Sequence, residues 1–110
     1  MKKQITFRDI AHTEGLENHV EQRLTRIETF LKHEQDPVTI DFILEPHRTH
    51  AHHSAELLIT SPQYHVVVRH EGPDMYHVID HVMHVGYDQL LKEKQRRIDD
   101  RKKGETPRKS

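Results

Sequence analysis

The apolar residues of this chain switch between two periods, and the switch points divide it into six elements. Ile5 and Phe7 alternate with Gln4, Thr6 and Arg8, the period of a short strand with one buried face over residues 3–8. Leu16, Val20, Leu24, Ile27 and Leu31 then recur at steps of three and four, which predicts a helix opened by Thr13 as its cap and running to about His33. After Pro37 the alternation returns, with Val38, Ile40, Phe42 and Leu44 against Thr39, Asp41, Ile43 and Glu45, a strand over about residues 37–45. Residues Pro46 to His53 have no apolar period and read as a loop or a flexible hairpin connection. Ala55, Leu57 and Ile59, the turn Ser61-Pro62-Gln63, and Val66 and Val68 read as the two strands of a hairpin.

The last element is the longest. Gly72 and Pro73 break the preceding strand, and Asp74 can accept the free N–H groups of a helix's first turn. From there Met75, Ile79, Val82, Gly86 and Leu90 form one apolar stripe, with Gly86 weakening its middle, and beyond Leu91 the sequence turns basic. Read as helix from Met75 to about Lys102, it spans roughly 40 Å, against about 17–20 Å for a typical strand. Its basic half is expected to project beyond the sheet. The order is βαβββα, an α+β single domain with a four-stranded mixed sheet. The first two strands are parallel through a right-handed crossover, the hairpins add antiparallel strands, and both helices pack on one face. The opposite face is expected to be partly solvated and polar. The domain is assigned to residues 1–103 and a disordered tail to 104–110.

Composition narrows what such a domain can do. At 110 residues, 33% hydrophobic and 32% charged, the core must come from a few well-patterned strands and two helix faces. No run approaches the ~20 apolar residues of a spanning helix, and Met1-Lys2-Lys3 leads into strand alternation instead of a signal-peptide apolar region. No membrane contact is expected, and zero cysteines agree with a cytosolic compartment. The net charge of -1 hides an asymmetry: residues 92–110 hold nine of the 17 Lys/Arg but four of the 18 acids, so this end carries +5 and the remainder -6. Such segregation points to a polyanion-binding end on an acidic body.

Catalytic signals are missing, and no enzyme and no small-molecule substrate are expected. There is no Gly-rich phosphate loop, no thiol, and none of Ser54, Ser61 and Ser110 sits in a nucleophile elbow. The 12 histidines include His77, His81 and His84 on one helix face, where two can bind zinc but no spacing supplies a fixed third ligand. His47, His50, His52 and His53 lie in a segment without built-in rigidity. No metal and no cofactor are therefore expected. Near pH 6.5 half-protonated imidazoles would move the net charge from -1 to about +5. His19 and His33 share a stripe with Arg23 and Arg26, so falling pH would add charge beside them.

A nucleic-acid reading uses more of the sequence. The basic helix offers phosphate contacts through Lys92, Lys94, Arg96, Arg97, Arg101 and Lys102, and Arg23 and Arg26 add two from the first helix. Tyr64, Tyr76, Tyr87 and three Phe that mostly read as core are few for base stacking. That favours a structured RNA read by shape and phosphates.

These residues carry a family resemblance over about residues 1–103. Gln4-Ile5-Thr6, Thr13-Glu14-x-Leu16, Arg23, Arg26 and above all Glu71-Gly72-x-Asp74-Met75-Tyr76-x-x-Ile79-Asp80 resemble the bacterial ribosome hibernation-promoting factor and ribosome-associated inhibitor family, also called sigma-54 modulation proteins. Gln89-Leu90-x-Lys92-x-Lys94-x-Arg96 is similar to the family's alternating basic run. The resemblance implies binding to the small ribosomal subunit and its RNA in the decoding region, across the messenger and transfer RNA sites, silencing ribosomes in stationary phase or stress. It implies RNA contacts at Arg23, Arg26, Lys92, Lys94 and Arg96, with Arg97, Arg101 and Lys102 added by charge and position. The chain resembles a short form without the second, dimer-forming domain, and a monomer off the ribosome is expected. Glu17, Val85 and Asp88 depart from the family's basic positions, making the RNA face less positive. The alternative is a protein-interaction or histidine-based metal-buffering module on the same fold.

Overall fold

The chain's computed structural model describes residues 1–47 and 51–105, with side chains up to Lys102. Its elements are β1 (Lys2–Phe7), α1 (Glu14–Leu31), β2 (Thr39–Pro46), β3 (His53–Thr60), β4 (His65–Gly72) and α2 (Met75–Glu105). The four strands lie in one sheet in the order β1-β2-β3-β4, with β1 parallel to β2 and the other neighbours antiparallel. β1, β2 and β4 therefore run in one direction, and the helices that follow β1 and β4 return across the sheet parallel to each other.

Each helix opens where its cap residue stands. Thr13 Oγ1 accepts from the Leu16 N–H at 3.2 Å, and Asp74 Oδ1 accepts from the Tyr76 and His77 N–H groups at 3.0 and 3.2 Å, closing donors that the first turn leaves open. All five apolar positions of the first stripe, Leu16, Val20, Leu24, Ile27 and Leu31, are buried against one face of the sheet, built from Ile40, Phe42, Leu44, Ala55, Leu57, Ile59, Val66 and Val68. Ile5 and Phe7 of the edge strand are only partly buried. Lys3 ties that edge down, its ammonium 2.6 Å from Glu21 and 3.1 Å from Glu28 of α1.

The structure widens the second stripe. Val78 and Met83 are buried beside Ile79, Val82 and Leu90, whereas Met75 is only partly covered. α2 touches β3, β4 and α1 at once, and a helix wedged between a sheet and another helix needs a broader apolar face than one resting on a sheet alone. Boundaries shift too. α1 stops at Leu31, its last core residue, and Pro46 and His53 pair across the β2–β3 ladder. The ladder thus enters the segment read as a loop, whose residues 48–50 lie outside those described. α2 reaches Glu105, so Gly104 and Glu105 of the expected tail are helical; residues 106–110 lie outside those described.

At Gly86 α2 lies close against the sheet. A Cβ there would lie 2.5 Å from Leu57 Cδ2, and Leu57 is fully buried, so its methyl has little room to move. Helix propensity favours Ala by about 1 kcal/mol, but overpacking a closed core costs about 1–3 kcal/mol. Gly86→Ala is expected to lower stability by up to about 2 kcal/mol. A variant with a higher Tm than the parent would contradict this.

The opposite sheet face is mixed. Leu58 and Val67 pair across β3 and β4 and Ile43 lies on the same face. The rest of that face is polar or charged, from Thr39, Ser54 and Thr60 to Glu56 and Arg69, which pair at 3.0 Å.

Candidate nucleic-acid interface

Two parallel helices on one face create a groove, and the residues along it can be followed from the start of α2 to its basic end. At the start, Asp80 faces α1 and accepts from Arg23 Nε and His19 Nε2, both at 2.8 Å. His19 also meets the Tyr76 ring edge-on at 4.7 Å. Burial works to raise the Asp80 carboxyl's pKa, but the hydrogen bonds and charges of Arg23 and His19 outweigh it and hold the carboxyl below its usual range. Arg23 is thus tied to a carboxylate at the helix interface.

One turn on, the partners change from carboxylates to aromatic rings. The Arg26 guanidinium lies over Tyr87 at 4.4 Å from the ring centre, the Lys94 ammonium over Phe30 at 5.7 Å, and the Arg97 guanidinium over Tyr64 at 4.3 Å, all within the range of cation–π attraction. The rings touch in series: Tyr87 to Phe30 at 6.3 Å and Phe30 to Tyr64 at 5.4 Å, both edge to face. Arg97 also donates to Gln63, through its carbonyl oxygen at 2.7 Å and its side-chain oxygen. α2 therefore stays fastened to the β3–β4 turn as far as Arg97, and the helix stands clear of the sheet later than Leu91. The molecule extends 62 Å along its longest axis.

The remaining predicted cations sit elsewhere. Lys92 pairs with Asp88 at 3.0 Å and Arg96 with Glu93, and both line the β4 side of α2 with His65 and Gln89. The alternating run Lys92, Lys94, Arg96 is split because a helix turns about 100° per residue, placing the middle residue almost opposite the other two. Arg101 and Lys102 are exposed on the last turns. Within the groove the structure collects Arg23, Arg26, Lys94 and Arg97. Phe30, Tyr64, Tyr87, Gln63 and Asp80 are its further members, absent from the sequence-based set. For Phe30 and Tyr87 the signal was spacing, since Arg23, Arg26 and Phe30, and Tyr87, Lys94, Arg97 and Arg101, fall at steps of three, four and seven; Gln63 and Tyr64, beside the β3–β4 turn, carried no such signal.

The histidines divide as well. His84 lines the groove with Gln22, Arg23, Arg26, Asp80 and Met83. His77 and His81 face β4, where His70 stacks on His81 with ring centres 4.0 Å apart and His77 lies 6.4 Å from each. Among the described residues no three His, Asp or Glu groups are arranged to hold a metal ion. Burial, followed by the neighbouring charges of His70, His77 and His84, lowers the His81 pKa. A group depressed in the folded state contributes stability above its unfolded value, near 6.5, and loses it as pH falls through the folded value. Acidification should therefore strain this edge rather than simply add charge to the groove. Tm is expected to fall between about pH 7.5 and 5.5, and His81→Gln should flatten that fall. An unchanged profile in the variant would exclude His81 as the cause.

The domain is thus an α+β sheet carrying a cation-lined groove between two parallel helices. Residues 3–98 match the sequence profile described as Sigma 54 modulation protein / S30EA ribosomal protein, and the chain belongs to this ribosome-associated family. No curated protein matches the sequence. Among solved structures, the fold is similar to the N-terminal domain of Thermus thermophilus Protein Y, with a TM-score of 0.65 at 22% identity, over 81% of this chain and 93% of that one. It is also similar to a ribosomal subunit interface protein from Coxiella burnetii, with a TM-score of 0.67 at 22% identity, over 86% of this chain and 99% of that one. At that identity the likenesses speak to the fold. No helix among the described residues is long and apolar enough to cross a membrane.

Proposed function

We propose that this protein binds the small ribosomal subunit through its RNA, occupies the decoding region across the messenger and transfer RNA sites, and silences ribosomes in stationary phase or stress. The observation that carries this reading is the row Arg26, Lys94 and Arg97 along one groove, in a chain whose family description names a ribosomal protein. Phosphate is the ligand such a row fits, because the cations are spaced along two rigid helices. The protein acts by occupancy, without catalysis and as a monomer off the ribosome, in the cytoplasm.

Pelleting with purified small subunits tests this. About five phosphate contacts give a slope of log affinity against log salt on the order of -3.5 to -4.5 from counterion release. Bound protein should also block transfer RNA from the subunit. A flat salt response, or free access of transfer RNA to saturated subunits, would overturn the RNA interface or the decoding-region placement respectively.

A further inference from the structure

Resting on the groove's reading as an RNA interface, we infer that Phe30, Tyr64 and Tyr87 are positioning residues for RNA binding, holding Arg26, Lys94 and Arg97 aimed without neutralising them. Three other cations on these helices are held by carboxylates: Arg23 by Asp80, Lys92 by Asp88 and Arg96 by Glu93. A carboxylate orients a cation but cancels its charge, so phosphate must compete with a bound anion. An aromatic ring orients through its quadrupole and leaves the full positive charge facing outward. In a chain of net charge -1, that difference selects which cations can draw RNA.

Stacking also uses the right part of the guanidinium. Its π face lies on the ring, while its N–H donors lie in the plane: those of Arg26, and those of Arg97 not already given to Gln63, can meet phosphate oxygens. The platform beneath is fixed. Tyr64 is 4% exposed, its N–H is held by Ser61 Oγ at 2.9 Å, and Phe30 and Tyr87 continue from it edge to face. Long side chains that are ordered before binding lose less freedom when phosphate arrives.

The test measures affinity and salt slope for small subunits. Tyr87→Leu keeps apolar bulk and removes the ring; it should weaken binding about two- to five-fold with the salt slope unchanged, while Tyr87→Phe binds like the parent. Arg26→Gln should lower both affinity and the magnitude of the slope, by about 0.7–0.9. Adding Tyr87→Leu to Arg26→Gln should change nothing further, because the ring acts through the guanidinium. Wild-type affinity in folded Tyr87→Leu would overturn the proposal, as would additive losses in the pair, which would make the ring a direct base-stacking contact. Should Tyr87→Leu fail to fold, NMR of the free parent decides: Arg26 and Arg97 side-chain resonances must show ring-current shifts, and random-coil positions would overturn the proposal. Failure of the parent itself to bind subunits would remove the RNA reading and this inference with it.

Discussion

Reversing Arg26, Lys94 and Arg97 to Glu together is expected to abolish binding to small subunits, weakening it by about a thousand-fold or more while the fold persists. Hydrogen bonds to charged groups contribute about 1.5–3 kcal/mol each, and three of them at 1.4 kcal/mol per tenfold exceed that factor before repulsion is counted. The fold should survive because the three cations rest on the surface of the rings, at a cost of about 0.5–1 kcal/mol each. Lys92→Glu with Arg96→Glu should do much less, since both cations are already paired with Asp88 and Glu93 on the β4 side. Pelleting and circular dichroism on both variants check this. A triple variant that pellets like the parent, or a Lys92/Arg96 variant that loses more, would move the interface to the other side of α2.

Leu90→Ala should produce the largest loss of stability that bears on the groove, about 2–5 kcal/mol for a fully buried leucine. Leu90 is 0% exposed and is the last buried residue of α2 among the described side chains, with Tyr87 and Lys94 one turn to either side on its face. Domains of this size have about 5–15 kcal/mol in total, so the variant should show a much lower denaturation midpoint with an unchanged m-value. Its RNA affinity should also fall as the cationic half of α2 loses its anchor. A shift of less than about 1 kcal/mol would mean that α2 is held by its earlier turns alone.

How far the sequence alone carries differs between the fold and the groove. Alternation in Ile40, Phe42 and Leu44, and helical spacing in Leu16, Val20, Leu24, Ile27 and Leu31, were enough to specify element types, order and the buried face, and every one of these residues is in the core. The reason is local: a buried face imposes its period directly on the residues that form it. Thr13 and Asp74 marked the helix starts for the same reason, because a cap bonds the backbone two or three residues away.

What the sequence left open depended on contacts between elements. The breadth of the α2 core face, with Val78 and Met83 inside it, follows from α2 lying against both the sheet and α1. Gly86, read as a weak point, is the position at which α2 meets Leu57. The basic residues were recognisable as a set, but their worth was not. Arg23 is bound to Asp80 across 57 residues of sequence, Arg97 to Gln63 across 34, and Lys94 lies over a ring from the other helix. Lys92 and Arg96 find their carboxylates within α2, but whether Arg23, Arg26, Lys94 and Arg97 meet a carboxylate or an aromatic ring is decided by which side chain the fold brings beside them. Periodicity says which face a residue occupies; only the tertiary structure says what that face meets.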